Sequence, residues 1–159
     1  MASKKNGKAK RVSPIPRGYR TVTATMNQND SAATIAFCKK AFGAKLRSKM
    51  AGPGGKLMHA EIEIGDSIVM LSDAMREPAR VASMFLYVDN VDKTFAKALK
   101  AGAKVVMPLE NQFWGDRHGR IADPQGNLWA LASRIEKLSP TEMKKRMKEE
   151  TKRMKAMAK

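Results

Sequence analysis

Alternation of apolar and polar residues organises the chain from about residue 19 to residue 134. TVTATM (21–26) is rich in Thr and Val and predicts a strand. NDSAATIAFCKKAFGAK follows, with Ile35, Cys38 and Phe42 on one helical face. Asp30 or Ser31 is placed to cap this helix, and Gly43 stands where a left-handed C-terminal residue is wanted. AGPGGK (51–56) is a turn. MHAEIEIG (58–65) and SIVMLS (67–72) predict two strands joined at Gly65-Asp66. AMREPAR (74–80) is a linker and ASMFLYVD (82–89) a further strand. NVDKTFAKALKAGAK predicts a helix with Phe95, Ala98 and Leu99 inward and Gly102 at its end. VVMP (105–108), GRIADPQGN and LWALAS (128–133) complete the strands.

The elements repeat. AFGAK at 41–45 matches KAGAK at 100–104, an offset of 59, and the same offset relates His59 to His118 and Ile62 to Ile121. Each copy reads strand, helix, then three strands, over 20–73 and 82–134. The chain is thus expected to hold a basic, disordered arm (1–18), a two-module domain (19–138) and a C-terminal helix (139–159). That helix opens on Ser139, Pro140 and Glu142, the spacing of a capping box. Met143, Met147, Met154 and Met157 form a stripe along its basic length.

Charge changes the picture at the ends. The net charge is +16. Residues 1–20 carry seven Lys/Arg and no acid, and residues 134–159 carry ten against four. Any contact with nucleic-acid phosphates therefore belongs to the tails and would be non-specific in sequence. No run is long and apolar enough for a membrane span, and residues 1–18 lack the apolar core of a secretory leader. One cysteine, Cys38, excludes an internal disulfide, so a cytoplasmic location is expected.

The paired modules resemble the vicinal oxygen chelate superfamily, which includes glyoxalase I, extradiol dioxygenases, fosfomycin-modifying enzymes and bleomycin-resistance proteins. The stretches that carry the likeness are ND-x-AATIAFCKKAFGAK, MHAEIEIGDSIVMLSD, FWGDRHGRIADPQGN and LWALAS. The pairing of MHAEIxIGDS with FWGDRxGRIxDPxGN looks closest to the PhnB-like group. The resemblance implies an α+β fold in which two βαβββ modules form an open, eight-stranded cleft barrel around a ligand. It also implies a homodimer, in some members domain-swapped. Enzymes of the superfamily hold a divalent ion between four strands, and their register transfers to Thr23, Met70, Ser83 and Ala130. None of these four is a competent ligand for such an ion, so no metal and no cofactor is expected.

Residues in phase with those four positions would line the cavity: Thr21, Thr25, Ile68, Ser72, Phe85, Tyr87, Leu128 and Ala132. The opposite phase (Val22, Met26, Val69, Leu71, Leu86, Val88, Trp129, Leu131) would form core. Trp114 would lie over the cavity mouth or close the core edge. Arg117 and Arg120 would meet an anionic group or pair with Asp116. His59, Glu61 and His118 are the candidates for acid–base work, against a reading as solvated strand residues. The leading expectation is enclosure of a small, mostly apolar organic ligand on Thr23, Met70, Ser83, Phe85, Tyr87, Trp114, Arg117 and Ala130. The alternatives are a lyase or isomerase with noncanonical residues, and a nucleic-acid- or partner-associated protein acting through its tails.

Overall fold

The computed structural model describes residues 12–157. Eight strands and three helices follow one another as β1 (Ala24–Gln28), α1 (Ser31–Phe42), β2 (Lys45–Ala51), β3 (Leu57–Ile64), β4 (Ser67–Asp73), β5 (Ser83–Tyr87), α2 (Val91–Lys100), β6 (Lys104–Asn111), β7 (Asp116–Ala122), β8 (Leu128–Arg134) and α3 (Pro140–Met157). The strands form two four-stranded sheets, β1-β4-β3-β2 and β5-β8-β7-β6. In each, the first and last strands are parallel and the other neighbours antiparallel. The duplication read from the repeat is therefore a duplication of architecture, and neither sheet closes on itself.

The same local chemistry starts both helices. The Asp30 carboxylate accepts the Ala33 N–H at 2.8 Å, and the Asn90 side chain accepts the Lys93 N–H at 2.9 Å. The last strand of each module then takes the first helical N–H. Ser31 donates to Asp73 at 2.7 Å, and Val91 donates to Ser133 Oγ at 2.9 Å. Gly43 ends α1 at φ 70°, a conformation that a side chain would strain.

Each helix lies on one face of its own sheet, and α1 and α2 pack on each other. The buried core is continuous through both modules, from Met26, Phe37, Ile62 and Leu71 to Phe95, Ile121, Trp129 and Leu131. The rings of Phe42 and Trp129 bridge the modules, 4.9 Å apart. Gly119 lets α2 sit close: a Cβ there would meet Phe95 at 2.9 Å. Cys38 is fully buried, and burial, with Asp123 adding, pushes its thiol up to about 12.

Four expectations need correction. Leu99, expected to face inward on α2, is 37% exposed, while Phe95 and Ala98 are buried. The first strand begins at Ala24 rather than Thr21, because the chain bends at 20–23, where Thr23 Oγ1 bonds the Arg20 carbonyl at 3.1 Å. Val22 consequently lies outside the core, 85% exposed. Strand β2 had no signal, since KLRSKMA is an edge strand exposed at every residue and bulged twice. Strand β6 runs on through Pro108; at a sheet edge the missing proline N–H costs no ladder bond.

α3 forms as its capping signal predicts, with the Glu142 N–H donating to Ser139 Oγ at 3.1 Å. The Glu142 carboxylate does not return the bond. It meets Arg146 at 3.1 Å, and Arg146 also reaches Glu136 at 2.7 Å. No residue of α3 is buried. No helix among the described residues is long and apolar enough to cross a membrane.

Candidate functional site

In a sheet, residues directly opposite one another share a face. On the second sheet, one face packs under α2 through Met84, Leu86, Trp129, Leu131, Gly119 and Ile121. The other face is concave and carries cross-strand rows. Phe85, Ala130 and Arg120 form one row; Tyr87, Ala132 and His118 form the next. Two alanines thus lie between the β5 aromatics and the β7 polar residues, in a trough that the Phe85 and Tyr87 side chains reach across to His118 and Asp116. Phe85 and Tyr87 are 51% and 66% exposed, unusual for rings in a strand centre.

His118 is the opposite case. It is only 7% exposed, stacks on Phe85 at 5.4 Å, and has no hydrogen-bond partner on either ring nitrogen among the described residues. Burial, with the Arg120 charge adding, pulls its pKa below the ordinary imidazole value against the pull of Asp116. Asp116 is committed elsewhere: its Oδ2 accepts from Tyr87 Oη at 2.8 Å and from Trp114 Nε1 at 3.0 Å. Trp114 is therefore pinned beside His118, with ring centres 5.9 Å apart. Arg117 faces the other way. It is held by Asp92 in the first turn of α2, at 2.7 Å, and does not share the face of Phe85.

The first sheet carries the equivalent face, which the chain itself partly covers. The described part of the expected arm lies against this sheet: Gly18 sits over Ile68 and Arg47, and the Arg47 guanidinium lies 5.7 Å from the centre of the Tyr19 ring. The Tyr19 hydroxyl and then His59 hold the Glu61 carboxylate below the ordinary range. His59 meets Glu61 at 3.2 Å. His59 and His118 stand on different sheets, His59 beside Glu61 and His118 against Phe85. A recess of about 490 Å³ between arm and sheet brings Thr23 and Met70 together with Ile15 and Tyr19.

A larger cleft of about 950 Å³ separates the modules. Its walls include Val22, Thr23, Phe85, Tyr87, Lys93 and Trp129. Of the expected ligand residues, Thr23, Phe85 and Tyr87 meet here. Ala130 lies directly opposite Phe85 on β8, Ser83 lies one row away, and Trp114 stands just before β7. Beneath the cleft, the DPQGN turn ties the modules. The Asp123 carboxylate accepts from Asn127 and Trp129, Asn127 Nδ2 donates to Gln28 Oε1 at 2.7 Å, and Asn127 Oδ1 accepts the Ala82 N–H at 3.0 Å.

The four positions at which the superfamily holds a divalent ion carry two hydroxyls, a thioether and a methyl group. That donor set does not fit such an ion. No group of three or more His, Cys, Asp or Glu converges anywhere among the described residues. Arg120, Asp116 and Tyr19 are the site features that sequence reading underused. Arg120 and Asp116 are in phase with His118, which was a readable signal. The fold-back of Tyr19 onto Glu61 left no periodic trace.

Comparison with known proteins agrees with this architecture. An uncharacterized protein of Mycobacterium tuberculosis is 38% identical over 131 residues, covering 75% of this chain and 77% of the relative. Protein YjdN of Escherichia coli is 29% identical over 100 residues, 60% of this chain and 67% of its own. Among solved structures, TioX from Micromonospora sp. ML1 superposes with a TM-score of 0.61 at 23% identity, covering 76% of this chain and all of its own. A PhnB protein of Bacillus cereus, described as a putative 3-demethylubiquinone-9 3-methyltransferase, gives 0.56 at 17% identity, covering 72% and 99%. The family model for the Glyoxalase/Bleomycin resistance protein/Dioxygenase superfamily matches residues 20–131, and the chain belongs to that superfamily.

Proposed function

We propose that this protein binds a small, mostly apolar organic molecule against the aromatic wall of β5, without the divalent ion that enzymes of the superfamily use. The observation that carries the reading is the pair of exposed rings, Phe85 and Tyr87, bordering a cleft of about 950 Å³. That volume lies within the range of small-molecule sites, and exposed aromatics give such sites most of their contact energy. A protein of this kind sequesters or carries its ligand. The test is a panel of apolar compounds followed by tryptophan fluorescence and calorimetry. Phe85→Ala and Tyr87→Ala should each weaken the binders about tenfold, the loss of one ring contact of about 1.5 kcal/mol. Absence of any binder, or unchanged affinities in both variants, overturns the reading.

The active unit in this proposal is a homodimer. Strands β1 and β5 each pair on one side only, and both border the same cleft. A second copy would cover these edges and roof the aromatic wall.

A further inference from the structure

The chemistry of the trough on the second sheet narrows the ligand class, and this step rests on the binding reading above. Arg120 is half-buried, yet among the described residues its side chain makes no ion pair and no hydrogen bond, while its backbone stays in the sheet. Its sequence neighbours show why this is unusual. Arg117 is engaged by Asp92 and Asn111, and Oδ2 of the nearby Asp116 accepts from Tyr87 and Trp114. A guanidinium carries five donors in a planar fork suited to a carboxylate, and half-burial without a partner leaves that capacity unused. One row along, His118 leaves both ring nitrogens unpartnered in a buried setting. Two donor groups in need of an acceptor therefore stand side by side on β7.

Opposite them, across the methyl groups of Ala130 and Ala132, stand Phe85 and Tyr87, their rings 5.0 Å apart. Phe85 and Arg120 are two strands apart, so their backbones are separated by about 10 Å. A flat ligand laid on the exposed sides of these two rings, which themselves reach over the alanines toward β7, would bring a carboxylate to the β7 guanidinium. Ala130 matters for the charge: a glutamate there, directly opposite Arg120 and where the superfamily's metal ligand stands, would pair with the guanidinium.

We infer that the trough is a site for planar aromatic carboxylates, with Arg120 as the anion anchor and Phe85 and Tyr87 as the stacking platform. His118 is the second donor, reached when Phe85 shifts off the imidazole.

The experiment compares 2-naphthoate with its neutral counterpart 2-naphthamide by calorimetry on the full chain at moderate salt. Naphthoate should bind at least tenfold more tightly than the amide. Arg120→Gln should remove that advantage while leaving the amide within twofold of its original affinity. Arg120→Lys, which keeps the charge and loses the fork, should recover only part of it. Lys40→Gln, the same charge change on the exposed face of α1, controls for general attraction to a basic protein and should change nothing. Circular dichroism of each variant checks that it is folded. Equal binding of the two probes, or an anion preference that survives Arg120→Gln or falls equally in Lys40→Gln, overturns the inference. If in that case Phe85→Ala still abolishes binding of both probes, the binding reading stands while the carboxylate does not. If neither probe binds, the inference fails, and the apolar panel alone then decides the broader reading.

Discussion

His118 concentrates the site's tension in one side chain. A buried polar atom without a partner costs about 1–3 kcal/mol, and this imidazole has two. Phe is similar in shape and its neighbours are aromatic, so His118→Phe should stabilise the protein by about 1–2 kcal/mol at neutral pH. The pH profile should change as well. The folded imidazole has a lowered pKa, so below about pH 6.5 the unfolded chain binds a proton that the folded chain does not. Stability therefore falls on acidification from that point until the folded imidazole itself protonates. Urea unfolding between pH 5 and 7.5 should show this slope in the natural protein and a flatter one in His118→Phe. Equal slopes would mean that His118 is solvated in the folded state. Glu61 and Asp73 act lower on the scale. Burial pushes Asp73 up, but the N–H groups of Leu57 and Ser31 outweigh it and hold the acid below its usual range. Its contribution persists above the ordinary carboxylate pKa and is lost as the pH falls through the folded value.

Among the elements, the turn between β7 and β8 does more than reverse the chain. Asn127 serves Asp123, Gln28 and Ala82 together, in a buried setting that joins the end of β1 to the start of β5. Asn127→Ala would strip partners from groups that water does not reach. A loss of about 2–4 kcal/mol is expected from the urea midpoint, with ligand-free structure retained. A loss under about 1 kcal/mol would show that water replaces the amide. Elements with a buried face were legible in the sequence. Helices α1 and α2, the caps of α1, and β3, β4, β5 and β8 follow from apolar periodicity and cap chemistry. Strand β2 was not, because an exposed edge strand has no apolar face to write into the pattern. Val22 was misread for a related reason: alternation continues past the strand's end, and only the bend at 20–23 breaks it. Within the candidate site, register was enough to put Phe85 and Tyr87 on one face of β5. The directions of Arg117 and Arg120 depend on which face β7 turns to α2. One residue of uncertainty there exchanges their roles.

At the scale of the whole molecule, two open sheets share one core but leave their β1 and β5 edges unpaired. Exposed Val22 and Phe85, beside those edges, add apolar surface that a second copy docked there would cover. Light scattering at micromolar concentration should return twice the chain mass, and Val22→Asp, placing a charge beside the cleft, should shift it toward the monomer. A monomer at all concentrations would remove the second copy from the account of the site. The depth of Cys38 has a practical corollary for such work. A thiol fully enclosed and almost never ionised at neutral pH is silent to maleimides and spin labels as long as the protein stays folded. One exposed residue changed to cysteine on each module would thus give a doubly labelled chain without first removing a native thiol. Distances measured between such labels would separate modules facing each other within one chain from modules facing each other across two.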